Sequence, residues 1–464
     1  MKPHLSLLTL CLLLGACGST AQRPDSGIQP PSSWQSPHTQ NATHRNLQWW
    51  TQFGSPELDR LIEQARVGSY DLAAAIARVR QAQADTVIAG GSLLPEVKAG
   101  LNANRQKLLR GSGYSQLDAD SSNKAVDYFD ANLSATYEID FWGGQRASRD
   151  SAQFGLQASE FDRATVELTL LSGVANSYAQ ALSLREQSRI AGLNLANAQN
   201  VLNLVQTRFD SGSATALELA QQKSLVAAQQ RQLPLVQQQA QDALISLAAL
   251  LGRPVQQLRL GAERFEQLSW PTIAAGVPSE LLTRRPDIAR AEAQLAAAQA
   301  DVTVARAAML PAVTLSAELG SGADRAADIL RNPFYNLTAG LLAPVFNNGR
   351  LSAERDKATA RQEELLENYR GAIINGFADV EKALNGIRGL DEQRQWQVEE
   401  LNQAQTAFNI AQSRYEAGAE DLLTVLETQR TLYAAQDLNV QLRLSRLQAS
   451  IALYKALGGG WQAL

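Results

Sequence analysis

The residues able to do covalent or metal chemistry are few, and their positions limit what the chain can do. In 464 residues there are three histidines and two cysteines, His4, His38, His44, Cys11 and Cys17. From Arg45 to Leu464 there is neither an imidazole nor a thiol. The body of the chain therefore lacks the usual nucleophile, general base and transition-metal ligands. No carboxylate-pair or Ser/Lys motif replaces them, so neither an enzyme nor a metal site is expected. The other candidates are electrostatic and conformational: Arg208 with Gly212, Arg414 with Gly418, and the set Leu423, Glu427 and Arg430, whose spacing of four and three puts all three on one helical face.

Cys17 has a context. Lys2, an apolar run from Leu5 to Leu14 and a small-residue exit read as a secretory signal peptide over residues 1–16. The run ends Leu14-Gly-Ala-Cys17, which resembles the lipobox of bacterial lipoproteins, where cleavage precedes the cysteine and its thiol receives diacylglycerol. Gly18, in place of Asp, resembles the pattern of lipoproteins sent on to the outer membrane. An ordinary signal peptide with a chance cysteine is the alternative. With Cys11 removed, the mature chain has one cysteine and can form no internal disulfide. No cofactor is expected beyond a covalent lipid on Cys17.

The arginines and glycines above belong to a repeat. Arg414-Tyr-Glu-Ala-Gly418 answers Arg208-Phe-Asp-Ser-Gly212, and the same offset relates Gly143 to Gly349 and Leu251-Gly252 to Leu457-Gly458. The apolar phase repeats too. Leu195, Ala198, Leu202, Val205 and Phe209 lead into the first glycine, and Leu401, Ala404, Phe408, Ala411 and Tyr415 lead into the second. Upstream, Gln83-Ala-Asp85 and Leu94-Pro95 match Gln299-Ala-Asp301 and Leu310-Pro311, with ten more residues between Pro95 and Gly143 than between Pro311 and Gly349. The chain is a tandem duplication of one elongated unit. Each glycine marks the tip of a helical hairpin, where a left-handed step is needed.

The elements that must position these tips follow in order. After the signal peptide comes a Pro-, Ser- and Gln-rich tether, residues 17–55, closing with Trp49-Trp50 and Phe53, an aromatic cluster read as packing. Repeat 1 occupies residues 56–252: a helix from about Glu57 to Leu93 broken near Gly68, a strand pair within 95–140, and a long hairpin with its tip near 208–215. Residues 253–278 read as a connecting belt outside the rods. Repeat 2 occupies residues 279–464, with a helix from Ser279 to Met309, a strand pair within 311–346 and a tip near 414–421.

Val97, Ala99, Leu101 and Ala103 alternate with polar neighbours, as do Leu133, Ala135, Tyr137 and Ile139, with the loop Gly111 to Asn123 between them. Val313, Leu315, Ala317, Leu319 and Tyr335, Leu337, Ala339, Leu341 do the same around the loop Gly320 to Asn332. Length and alternation suit membrane-spanning strands, while hairpins packed on the helices remain the other reading. Four strands cannot close a barrel, and an open edge cannot sit in hydrocarbon, so spanning strands would have to be pooled between protomers. From Arg146 to Phe209 there is no proline, and the seam Ala164, Leu168, Leu171, Ala175, Tyr178, Leu182 implies a rod of roughly 95 Å at about 1.5 Å per residue. The return helices, about Thr215 to Leu251 and Asp421 to Leu457, are shorter, and Pro234 is expected to bend the first. Their Ala- and Gln-rich flanks suit helices set around a water-filled space.

Composition narrows the classes further. A mean hydropathy of −0.21 and the lack of any mature run of 18 apolar residues argue against a conventional helical membrane protein. A formal net charge of −4 and a pI near 5.6 leave no basic footprint for nucleic acid.

With the tips, the Leu-Pro strand starts, Leu281-Leu-Thr-Arg-Arg-Pro-Asp-Ile288 and the lipobox in hand, the chain resembles a TolC-type outer membrane factor over nearly its whole length. It is more similar to the lipoprotein branch serving resistance-nodulation-division efflux pumps. The resemblance implies a mixed α and β fold: a trimeric membrane β-barrel with four strands per protomer, continued by a long periplasmic α-helical barrel. It implies an exit duct of a tripartite exporter in the cell outer membrane, lipid-anchored at the periplasmic side, which docks a periplasmic adaptor joined to an inner-membrane pump. By the same resemblance Arg208, Gly212, Arg414 and Gly418 shape the docking grooves, and Leu423, Glu427 and Arg430 narrow the tunnel. Glu427 stands where that branch usually has Asp. An Asp-to-Arg latch seen in some relatives would here bring Glu218 to Glu420, and is absent. Two alternatives stay open on the residues themselves: a solvated Glu427/Arg430 pair without function, and an elongated periplasmic coiled-coil lipoprotein with a structural or tethering role and no pore. The exported cargo is not written in the sequence.

Overall fold

The computed structural model describes residues 25–36, 48–107, 126–271, 273–459 and 461. The signal peptide, Cys17 and the loop Gly111 to Asn123 lie outside the described residues. In chain order the main elements are a 3-10 turn Trp49–Phe53, α1 Pro56–Gly68, α2 Tyr70–Gly91, β1 Glu96–Gln106, β2 Val126–Ile139, α3 Gly144–Asp210 and α4 Ala216–Leu250. Then come α5 Leu281–Arg284, α6 Pro286–Ala307, β3 Ala312–Ala323, β4 Pro333–Leu342, α7 Arg350–Glu416 and α8 Leu422–Ala456. Each long helix, α3 and α7, has 67 residues, about 100 Å at 1.5 Å per residue, and each return helix, α4 and α8, has 35. Pro234 lies inside a continuous α4.

The helix expected from Ser279 to Met309 is in fact two, and the cause is Pro286. The residue before a proline is pushed out of the α region, and Arg285 sits at φ −99°, ψ 119°, ending α5. In the first copy the equivalent break falls at Ser69, after Gly68, as expected.

Contacts divide the chain into two units. One comprises Arg80–Ala158 and Ala291–Tyr369, together with the described residues up to Gly27, and holds a single antiparallel sheet in the order β1-β2-β3-β4. Register carries the period-two pattern across the whole sheet. Val97 pairs with Ala135, Ala135 with Ala317 and Ala317 with Leu337, and the next row runs Ala99, Leu133, Leu319, Tyr335. These rows form one apolar face, and Leu101, Leu133, Leu319, Tyr335, Leu337 and Leu341 are exposed on it. The other face is polar. Asn102 donates to Asp130 at 2.9 Å and Asn132 to Glu318 at 3.1 Å. Both outer strands, β1 and β4, present an unpaired edge.

The loop expected from Gly320 begins later, because Gly320 to Ala323 belong to β3 and pair with β2 and β4. Glycine weakens a strand interior and reads as loop. Here aromatic rings supply the missing bulk: the Phe334 ring lies where a Gly320 Cβ would stand, and the Tyr128 hydroxyl covers Gly322.

The second unit comprises Ile28–Val79, Ser159–Arg290 and Arg370–Leu464. Its largest core gathers Trp49, Trp50 and Phe53 against Ile62, Tyr178, Leu182, Leu247 and Leu447, with Trp49 stacked on Tyr454 at 5.1 Å. The tether is not free throughout. Trp34 is buried with Val380, Leu384 and Leu453, its indole N–H donates to the Gly276 carbonyl at 2.9 Å, and the Ser36 N–H reaches Glu381 at 3.2 Å. An indole buries too much apolar area to stay in water when a pocket for it exists. In the belt, Phe265 and Leu268 are buried, and Trp270 lies against Arg394 and Arg443 at 4.1 and 4.7 Å.

Candidate functional site

The two hairpin tips are built alike from the backbone upward. At the end of α3 the Ser213 N–H bonds to the Arg208 carbonyl at 2.8 Å and the Gly212 N–H to the Phe209 carbonyl at 2.9 Å; after α7 the Ala419 and Gly418 N–H groups bond to Arg414 and Tyr415 at 2.8 and 3.0 Å. This is the Schellman pattern, and it places a left-handed residue four positions after the arginine. Gly212 and Gly418 occupy it at φ 75° and 77°. The entering helices are capped differently. Thr215 and Glu218 form a reciprocal capping box. Asp421 accepts the Thr424 N–H at 2.8 Å, and those bonds to Thr424 hold its carboxyl below the usual range.

Beneath the tips lies a shared core of Val201, Val205, Leu219, Phe408, Ala411, Tyr415, Leu422, Val425 and Leu426. Polar cross-links tie it together: Gln222 donates to the Ala198 carbonyl at 2.8 Å and Tyr433 to the Asn194 carbonyl at 2.8 Å. Burial pushes the Tyr433 hydroxyl up to about 12, so it remains a donor.

Arg208 and Arg414 do different things. The Arg208 guanidinium lies 4.3 Å from the centre of the Tyr415 ring and contacts the Glu416 carbonyl at 3.4 Å, linking hairpin 1 to hairpin 2. Burial raises the Tyr415 hydroxyl pKa, against an opposing pull from Arg208. Arg414 stays on its own hairpin, 3.1 Å from Glu420 and 3.2 Å from the Ala419 carbonyl. Glu218 and Glu420, which fall where some relatives have an Asp-to-Arg latch, each take a local partner, Thr215 for one and Arg414 for the other. A capping box and a guanidinium each satisfy a carboxylate better than a second carboxylate would.

Leu423, Glu427 and Arg430 lie together on the exposed face of α8, opposite the buried Leu422, Val425, Leu426 and Gln429. Among the described residues neither charge enters an ion pair within the chain, although the two are three positions apart on one face.

A charged joint at the base of the second hairpin has no counterpart in the sequence reading. Arg285 is nearly buried; it pairs with Asp287 at 2.7 Å and Asp379 at 3.0 Å and donates to the Ala456 carbonyl at 3.3 Å. It so ties the starts of α6, the body of α7 and the end of α8. Burial pushes Asp287 up, but Arg285 outweighs this and holds the carboxyl below its usual range. Beside it Gly458, at φ 88°, packs on the Arg284 carbonyl closely enough that a Cβ would overlap that oxygen. The signal available in the sequence was Arg-Pro-Asp at a helix start, where an acid in the first turn and an arginine just before it can meet.

Among the described residues no cluster of His, Cys, Asp and Glu could hold a metal ion, and no helix is long and apolar enough to cross a membrane.

Comparison with known proteins assigns these features. The family model for outer membrane efflux proteins matches twice, over residues 61–253 and 277–459. The chain is 66% identical over 461 residues to the pyoverdine export outer membrane protein OpmQ of Pseudomonas aeruginosa, covering 99% of this chain and 97% of that one. It is 63% identical to OpmQ of Pseudomonas putida, at 99% and 98% coverage. Among solved structures, the outer-membrane channel OprN superposes with a TM-score of 0.87 at 26% identity, over 96% of this chain and all of that one. CusC does so with a TM-score of 0.83 at 27% identity, over 94% and 98%. The poreless tether reading falls, since these relatives are channels and exporters, not scaffolds. The chain belongs to the outer membrane efflux protein family and is the outer-membrane exit duct of an export system.

Proposed function

We propose that three copies of this chain form the duct, pooling their strands into one 12-stranded barrel in the outer membrane and their hairpins into a periplasmic helical tunnel. The observation that carries this is the sheet: one continuous apolar face left exposed and two unpaired edges. An apolar face belongs in lipid, and an edge in lipid must find a partner strand. A lipid on Cys17 anchors each copy at the periplasmic side; it supplements the barrel, because a single lipidated terminus anchors weakly by comparison. Detergent-extracted protein should run as a trimer in native mass measurement, and a folded, ion-conducting monomer would reject the pooled barrel. Cys17→Ser should abolish incorporation of labelled palmitate, and full labelling would reject the lipid site.

The tips around Arg208, Gly212, Arg414 and Gly418 serve as the docking surface for a periplasmic adaptor, which joins the duct to an inner-membrane pump of resistance-nodulation-division or another type. Leu423, Glu427 and Arg430 form the gate: repeated around an axis, their charges would stand as rings at a constriction, each offset by its opposite in a neighbouring copy. The cargo is a peptide siderophore of the pyoverdine kind. High identity over nearly the full length of two pyoverdine export proteins supports this choice over drugs or metal ions. Loss of the chain should leave pyoverdine in the cell, and unchanged secretion in a strain lacking all other such ducts would reject the cargo.

A further inference from the structure

The tandem repeat makes each hairpin a template for the other, so a contact made by one copy and missing from its counterpart points to where the missing half is supplied. The face of α3 that carries Leu204 and Arg208 is occupied within the chain. Leu204 packs against the tip core, and Arg208 stacks on Tyr415. The equivalent face of α7 carries Ile410 and Arg414, and it is open: Ile410 is 55% exposed, and Arg414 reaches only its own turn. The acceptor side shows the complementary gap. Ala404, Phe408, Ala411 and Tyr415, the seam that receives Arg208, are buried. In the equivalent seam Ala198 and Val205 are buried too, but Leu202 is only half-buried where Phe408 is buried, and Phe209, the counterpart of Tyr415, is 37% exposed. One donor face and one acceptor seam are thus unfilled, and by the repeat they match each other.

We infer that in the assembled duct, whose trimeric form is the reading proposed above, the Arg414 guanidinium of each copy stacks on Phe209 of a second copy, with Ile410 covering that copy's half-open seam. The tips then alternate around the ring, Arg208 on Tyr415 within a copy and Arg414 on Phe209 between copies. Both are cation–π contacts of the same geometry. They differ in what must be given up. Arg414 has to leave Glu420 or share it, whereas among the described residues Arg208 makes no ion pair, so the contacts between copies are the ones that can exchange when the tips move. At Leu193 and its counterpart Glu399, both exposed, the repeat asks for no cover.

Cysteine pairs in the full-length lipoprotein test this, with Cys17 blocked by its lipid. Phe209→Cys with Arg414→Cys, treated with a short bis-maleimide, should give covalent dimers and trimers, while Arg208→Cys with Tyr415→Cys should link only within one chain. An intact trimer by native mass that shows no links between chains overturns the inference and leaves the duct assembly standing; a monomer overturns both. Single substitutions at exposed positions provide a second measure that does not depend on core changes. In the assembled protein Ile410→Cys should react with a mono-maleimide several-fold more slowly than Leu193→Cys, although both side chains are exposed in one copy. Equal rates in the trimer contradict the inference.

Discussion

The two repeats keep the same backbone and divide the chemistry between them. At three equivalent left-handed steps both copies have glycine: Gly143 and Gly349, Gly212 and Gly418, Gly252 and Gly458. Where the first copy has Ser69 and Gly173, the second has Arg285 and Asp379, which form the charged joint. Where the first has Leu217, Gln221 and Ser224, the second has Leu423, Glu427 and Arg430. These glycines are therefore equal in the copies, while at the joint and at the 423/427/430 positions the charges lie in the second copy alone. A duplicated fold can keep its geometry in both halves while only one of them acquires the charged side chains of the joint and of the proposed gate.

That comparison can be broken at several points. The largest effect is expected at the paired glycines Gly252 and Gly458, each packed on a carbonyl, of Gly68 and of Arg284, with no room for a Cβ. Gly252→Ala and Gly458→Ala should each cost about 3 kcal/mol or more, the sum of a clash and a strained positive φ. Thermal or denaturant unfolding of the detergent-extracted protein would measure it, and a strong effect in only one copy would show that the joints are not equivalent.

Next in size is the charged joint itself. Arg285→Leu should destabilise by about 3 kcal/mol, near the lower end for breaking a buried pair because Asp379 is half exposed. Ser69→Ala, at the equivalent place, loses only a long 3.4 Å bond to the Leu72 N–H and should cost under about 1 kcal/mol. Equal costs would remove the asymmetry.

The joint also predicts a local pH dependence in repeat 2. The Asp287 carboxyl is held below its usual range when folded, so its contribution is fully present above the unfolded value near 4 and is lost as pH falls through the lower folded value. Amide protection factors around residues 281–290, taken against the intrinsic exchange rate at each pH, should fall on acidification below pH about 4, while those of residues 66–72 should not follow. A parallel fall in both would contradict the assignment.

A smaller difference separates the tip glycines. Gly212 and Gly418 have no backbone atom where a Cβ would stand, so Gly212→Val and Gly418→Val are opposed by the positive φ alone and should cost roughly 1–3 kcal/mol locally, with the assembly still inserting. If Gly418→Val leaves export and adaptor crosslinking unchanged, the tips are not the docking surface.

Much of this was legible because the repeat tests itself: an element seen twice at a fixed offset, with its apolar phase kept, is hard to misread. The Arg-aromatic-x-x-Gly spacing led directly to the Schellman turns. What stayed hidden depends on contacts distant in sequence. Nothing local says that within one copy Arg208 lies on Tyr415 while Arg414 does not lie on Phe209. Trp34 sits in a stretch whose prolines read as tether until its pocket beside Gly276 is seen. Gly320 to Ala323 read as loop because the rings that complete the strand, Phe334 and Tyr128, come from neighbouring strands. Arg285 belongs to a readable motif, but its role needs Asp379 and the Ala456 carbonyl, both far along the chain.

Single-channel conductance of two triple variants in planar bilayers tests the proposed division, a fold shared by both repeats with the gate in the second alone. Leu423→Ala, Glu427→Ala and Arg430→Ala combined should raise conductance or open probability several-fold with the trimer intact, whereas Leu217→Ala, Gln221→Ala and Ser224→Ala combined should leave both at the wild-type level. Wild-type conductance in the first variant, or an equal rise in the second, would contradict the account.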